Sequence, residues 1–141
     1  MNFRITEYER NHDANGHAQT ENHHEHPTTN PAISPTNNIV EISPTSRIDS
    51  FTAVKFDKAI NELMDSGWRK LVIDLSETPF VDSAGISVLV GVMRQSRPLG
   101  AKIRMIWPQA KTVKRVMQMM KLDMVFEMYE SSEEAIEQWN D

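Results

Sequence analysis

Ser83 is the residue with the widest choice of chemistry in this chain. It sits in Val81-Asp82-Ser83-Ala84-Gly85-Ile86, with a carboxylate just before the hydroxyl and a glycine two residues after it. As a nucleophile it needs a base within hydrogen-bond reach. All five histidines (His12, His17, His23, His24 and His26) lie far upstream in one polar tract. Val81 also stands where the nucleophile elbow Gly-x-Ser-x-Gly requires its first glycine. Asp74 and Asp82 as paired carboxylates need further acids converging on them, and a phospho-accepting aspartate needs an acidic cluster and a lysine. As a substrate, Ser83 needs only to be presented. A phosphate there adds nearly two negative charges and three acceptor oxygens. A partner surface complementary to a neutral serine then meets a dianion, which it must desolvate or repel. The reading that follows is a modified serine at an interface, with no catalytic residue.

The elements around Ser83 can present it. Leu71, Val72, Ile73 and Leu75 form a short, branched apolar run, as in a strand covered on both faces. Pro79 bars that strand from continuing. Asp82 suits the N-cap of the next helix, whose core face is read as Ile86, Leu89, Val90 and Met93. Ser83 then lies at a helix start, where free N–H groups and the dipole favour an anion.

The run Leu75-Ser-x-x-x-Phe80-Val-Asp82-Ser83-Ala84-Gly85-Ile86 resembles the signature of the STAS domain, most closely that of bacterial anti-anti-sigma factors (anti-sigma factor antagonists). Arg47-Ile-Asp49-Ser-Phe-Thr-Ala53 is similar to the family's upstream strand end and first-helix start, with Ser46 where a glycine is common. The resemblance covers roughly residues 39 to 141. It implies an α/β fold: a STAS-like mixed β-sheet of about four or five strands, with helices packed mainly on one face. It implies phosphorylation at Ser83 by a partner that is both anti-sigma factor and serine kinase. The unphosphorylated form binds that partner and frees a sigma factor; a serine phosphatase resets the phosphorylated form. Asp49, Asp82, Ser83, Ala84, Gly85 and Ile86 are the implied partner-binding residues. The alternative is a STAS scaffold or ligand-sensing module of a signalling assembly or lipid-transport complex.

The rest of the chain sets limits. The length of 141 residues suggests one domain with a real core. A formal charge of −5 argues against general nucleic-acid binding. No apolar run approaches the ~20 residues of a membrane helix, and Met1 to Glu7 lack the apolar region of a signal peptide. There is no cysteine, which excludes disulfides and thiolate metal sites. A cytoplasmic protein without cofactor or membrane partner is the simplest expectation.

Residues 1–9 read as a possible first strand, with Phe3 and Ile5 on one face. Residues 10–38 are rich in Asn, His, Thr and Pro and are expected to be disordered, as a hairpin insertion or as a tail. In the tail case Ala32-Ile33-Ser34 supplies a short strand. The His tract is read as a solvated low-complexity segment rather than a zinc, copper or nickel site. Residues 39–141 are the domain proper. Ile39 to Ile42 is a strand. Asp49 or Ser50 caps a helix whose apolar residues are Phe51, Val54, Ile60, Leu63 and Met64, with Phe56 and Ala59 at its edge, and which Gly67 ends. Gly100 ends a connector containing Pro98. Lys102 to Trp107 is a strand nearer the sheet edge, and Pro108 starts the next helix, with Val113, Val116, Met117 and Met120 inward. Val125 to Tyr129 is the last strand. Ser131-x-x-Glu134 is a capping box for a final helix through Ile136 and Trp139. Arg94, Arg97, Lys111, Lys114 and Arg115 form a basic zone, offset by acids from Glu127 to Glu137.

Overall fold

The computed structural model describes residues 1–10, 17–24, 35, 37–137 and 139, with Arg10 and 17–24 described by backbone alone. The strands are β1 (Phe3–Arg10), β2 (His17–His24), β3 (Ile39–Pro44), β4 (Lys70–Asp74), β5 (Lys102–Ile106) and β6 (Glu127–Tyr129). The helices are α1 (Ala53–Asp65), α2 (Ser83–Leu99), α3 (Lys111–Met119) and α4 (Ser132–Ile136). The strands form one mixed sheet in the order β2-β1-β3-β4-β5-β6. β1 runs antiparallel to β2 and β3, whereas β3 to β6 are mutually parallel. Helices α1, α2 and α3 connect the parallel strands, as a parallel pair requires a crossover.

The sheet splits the core in two because successive strand side chains point to opposite faces. Leu71 and Ile73 of β4 join Ile42, Phe56, Leu63, Leu89, Met105 and Met117 under α1, α2 and α3. Val72 joins Tyr8, Ile39, Ile106, Ala135, Ile136 and Trp139 on the opposite face, under α4. Three helices therefore cover one face and the short α4 covers the other.

This two-sided burial explains why the apolar alternation of β1 breaks at Tyr8. Phe3 and Ile5 point into the first core, and Tyr8 belongs to the second. The expectation that 10–38 lacks order is corrected at His17–His24, which pair with β1 from Phe3↔His24 to Arg10↔His17. They make a sixth strand where four or five were expected. Backbone pairing to a neighbour can hold a strand whose composition shows no apolar pattern. β1 lies between β2 and β3 in the sheet. His12, His26 and Ala32-Ile33-Ser34 lie outside the described residues.

Four boundary expectations shift. Helix α2 runs through Pro98 to Leu99 and stops at Gly100, whose φ is 70°. A proline in the last turn removes one helical bond just before the helix ends, so its cost is small there. Helix α3 starts at Lys111 rather than Pro108, because the Gln109 N–H donates to the Ser76 carbonyl at 3.3 Å and holds the chain out of a helix. Met120 is exposed rather than inward, since α3 ends at Met119 and Lys121 turns the chain with φ 58°. The last strand starts at Glu127, because Leu122–Met124 form a 3-10 turn and the Phe126 N–H bonds back to the Leu122 carbonyl.

Candidate functional site

The site is assembled where two chain segments zip together beyond the C-terminal ends of β3 and β4. The Ile48 N–H donates to the Phe80 carbonyl at 2.8 Å, and the Asp82 N–H donates to the Ile48 carbonyl at 3.2 Å. Ile48 and Val81 form a parallel bridge and both are buried. This clamp sets where α2 begins. Asp82 is extended, and its Oδ1 accepts from the N–H groups of Ala84 (2.9 Å) and Gly85 (3.1 Å). The carboxylate thereby satisfies two of the helix's free donors. Ser83, the first residue of α2, is exposed.

The neighbours divide by direction. Gly85 and Ile86 are buried and Ala84 is half-buried. A Cβ on Gly85 would lie 2.9 Å from the Ile48 carbonyl oxygen, so glycine here permits close backbone approach. Asp49 lies in the turn before α1, whose N-cap is Thr52. Its Oδ1 accepts from the N–H groups of Phe51 (2.9 Å) and Thr52 (3.1 Å). The Asp49 N–H in turn donates to Thr52 Oγ1 at 2.9 Å, and Asp49 Oδ2 pairs with Arg47 Nε at 3.1 Å. The Thr52 N–H, ahead of the other donors, holds the Asp49 carboxyl below its usual range. Asp82 thus serves as a cap, whereas Asp49 closes the turn ahead of α1; the expectation that Asp49 or Ser50 caps that helix is corrected, because the helix begins only at Ala53. Of the implied partner-binding residues, the structure points Ser83 outward and turns Gly85 and Ile86 inward.

Asp74 is not joined to Asp82 as a pair. Its Oδ1 accepts from the Ser76 N–H at 2.9 Å and its Oδ2 from Ser43 at 3.4 Å. Three of the histidines, His17, His23 and His24, fall in β2, three strands away from the strand leading to Ser83. Among the described residues no group of three His, Cys, Asp or Glu is placed to hold a metal ion.

Two features escaped sequence reasoning. The first is an apolar rim at this end of the sheet. Phe51 is 88% exposed, Val54 71% and Phe80 41%, and the Arg47 guanidinium lies 4.7 Å from the Phe80 ring centroid. Phe51 and Val54 were expected in the core. The inward stripe of α1 is instead Ala53, Phe56, Ala59, Ile60, Leu63 and Met64, and the Asp49 turn carries Phe51 outside the helix. The second is a polar cluster inside the second core. Tyr8 donates to Glu41 Oε2 at 3.1 Å and Ser132 to Glu41 Oε1 at 2.7 Å. Burial, with Asp74 adding to it, pushes the Glu41 carboxyl up to about 7. Burial and the Glu41 charge push the Tyr8 hydroxyl well above its ordinary value. The signal was visible as a lone glutamate inside Ile39-Val40-Glu41-Ile42.

A parallel sheet core with one antiparallel hairpin at its edge, crossover helices mainly on one side, and an exposed serine after an aspartate cap define a class. Residues 30–135 match the STAS domain, and the chain belongs to that family. A Thermotoga maritima protein provisionally named an anti-sigma factor antagonist is 26% identical over 101 residues, covering 71% of this chain and 88% of its own. The anti-sigma-F factor antagonist RsfB of Mycobacterium tuberculosis is 27% identical over 101 residues, covering 71% and 80%. The structure of the anti-sigma factor antagonist SpoIIAA in its unphosphorylated form superposes with a TM-score of 0.62 at 21% identity, over 71% of this chain and 86% of SpoIIAA. That last likeness is one of fold. No helix among the described residues is long and apolar enough to cross a membrane.

Proposed function

We propose that this protein is an anti-sigma factor antagonist, switched by phosphorylation at Ser83. The carrying observation is the exposed hydroxyl placed one residue beyond the Asp82 cap, at the mouth of the 17-residue α2. A kinase can reach it without unfolding anything. The positive dipole end of α2 tolerates the added charge, so the domain keeps its shape. The effect is therefore on the partner. In the unphosphorylated form, Ser83 and the apolar rim of Phe51, Val54 and Phe80 meet an anti-sigma factor that is also the serine kinase, and a sigma factor is released. With a phosphate on Ser83 the same contact has to bury a dianion beside Asp82, and the complex separates. A serine phosphatase restores binding. The names of the similar Thermotoga and mycobacterial proteins support the role, and a cytoplasmic location follows from it.

The experiment is a binding assay of each anti-sigma factor kinase encoded with this protein against wild type, Ser83→Ala and Ser83→Glu. Intact mass of the native protein accompanies it. The expected result is one added phosphate, mapped to Ser83, and binding by wild type and Ser83→Ala but not by Ser83→Glu. Equal binding by the acidic variant would remove the switch from the proposal.

A further inference from the structure

The forty residues from Ser83 to Leu122 contain no Asp or Glu, although the chain has 20 of them. The same stretch carries eight of its 15 Lys and Arg: Arg94, Arg97, Lys102, Arg104, Lys111, Lys114, Arg115 and Lys121. A chain of net charge −5 is thus strongly polarised. The fold turns this segregation in sequence into segregation in space. Val113 and Met117 fix α3 to the first core, on the face that also holds α1 and α2. Ala135 and Ile136 fix α4 to the second core, on the opposite face of the sheet. β5 contributes to both cores, Ile103 and Met105 to the first and Ile106 to the second.

The exposed charges of α2, α3 and the α4 segment follow the same division, although Asp65 at the end of α1 and Asp123 after α3 are exposed acids on the three-helix side. Arg94, Arg97, Lys111, Arg115 and Lys121 are exposed on the α2–α3 side and make no ion pair among the described residues. Glu130, Glu133, Glu134 and Glu137 are exposed on the α4 side and likewise make none among the described residues. With the sheet between them, the two sets cannot meet within one molecule. At the C-terminal end of α3 the basic side is also apolar. Met119 is 73% exposed, Met120 58% and Met124 81%. Methionines are adaptable contact residues, and a surface of this kind invites burial.

We infer that the basic, methionine-edged α2–α3 face docks onto the acidic α4 face of a second copy of this chain. Charge complementarity names the occupant, because both halves of the contact are present on every copy and point in opposite directions. Two different faces make a heterologous contact, which adds copies in a row instead of closing as a twofold dimer. The exposed pairs are individually weak and screened by salt. The assembly therefore forms at low ionic strength and high protein concentration, with the methionines supplying the salt-insensitive part. Ser83 and the Asp82 cap are not needed for it.

The test is sedimentation velocity of the full chain, from about 1 µM to about 500 µM, in low salt and in about 500 mM salt. The expected result is an average mass that climbs past the dimer with concentration at low salt and falls toward the monomer at high salt. Two variants read the polarity: Lys111→Glu with Arg115→Glu, and Glu130→Lys with Glu137→Lys. Each alone is expected to stay monomeric at low salt while retaining wild-type circular dichroism. An equimolar mixture of the two is expected to associate again, since each reversed face now matches the other. Met119→Ser with Met124→Ser is expected to weaken association at both salt levels. A protein that stays monomeric at low salt throughout overturns the inference. So does association that the charge reversals leave intact, or a mixture that fails to restore it.

Discussion

The carbonyl oxygen of Ile48 lies 2.9 Å from where a Cβ on Gly85 would be, and Val81 Cγ1 lies 2.7 Å from the same point. The segment after β3 and the first turn of α2 therefore touch through backbone, and Ser83 is held two residues from that contact. Replacing Gly85 by Ala sets a helix-propensity gain of about 1 kcal/mol against overpacking of roughly 1–3 kcal/mol. The opposing atom includes backbone, which cannot swing aside, so overpacking wins. Gly85→Ala is expected to lower the thermal midpoint by several degrees. Gly91, in the middle of the same helix, has nothing within 4 Å of its would-be Cβ. Gly91→Ala is expected to stabilise the fold by roughly 0.5–1 kcal/mol and so to raise the midpoint. Thermal unfolding followed by circular dichroism reads both signs.

Asp82 is a helix cap before anything else. Its Oδ1 serves two N–H groups. Asp82→Ala is expected to cost about 1 kcal/mol, and Asp82→Asn much less, because an amide oxygen also caps. Urea midpoints distinguish them. If both variants lost the same stability, the carboxylate would be acting through its charge rather than as an acceptor.

Glu41 makes stability depend on pH with an unusual sign for a carboxylate. Unfolded, its carboxyl releases a proton near the ordinary value of 4.5; folded, it holds that proton to about 7. Between those values the folded state binds more protons, so stability is greatest below about pH 4.5, falls as pH rises toward 7, and then levels off. The loss is on the order of 3 kcal/mol. Asp49, whose carboxyl is shifted downward from 3.8, acts with the opposite slope and below that window. Glu41→Gln keeps an oxygen for Tyr8 and Ser132 and is expected to flatten the profile between about pH 5 and pH 7. Urea titrations across that range check it. An unchanged slope in the variant would assign the dependence to another group.

The rim separates binding from folding. Phe51 and Val54 are largely exposed, so Phe51→Ser and Val54→Ser are expected to change stability by less than about 0.5 kcal/mol. They are expected to weaken association with the anti-sigma factor kinase by tenfold or more, since few residues carry most of an interface's affinity and aromatic ones are frequent among them. Isothermal calorimetry alongside thermal melts gives both numbers. A loss of affinity that tracks a loss of stability would place these residues in the core after all.

Local chemistry is legible in residue order. Asp82 is a cap because a short carboxylate before an apolar-periodic run has free N–H groups ahead of it, and Ser131 accepts from the Glu134 N–H at 3.2 Å for the same reason. Leu71 to Ile73 read as a doubly covered strand because both faces of that short run are apolar. The motif around Ser83 and its exposure follow from these local rules. Three other outcomes needed the folded chain. His17–His24 become a strand only because β1 offers an edge to pair with. Phe51 leaves the core because α1 begins only at Ala53, and Val54 because it stands one residue, about 100° of rotation, from the buried stripe of Ala53, Phe56 and Ile60. Glu41 sits beside Ser132, 91 positions away in sequence. Its proton affinity comes from the burial that α4 imposes, which no window of neighbouring residues contains.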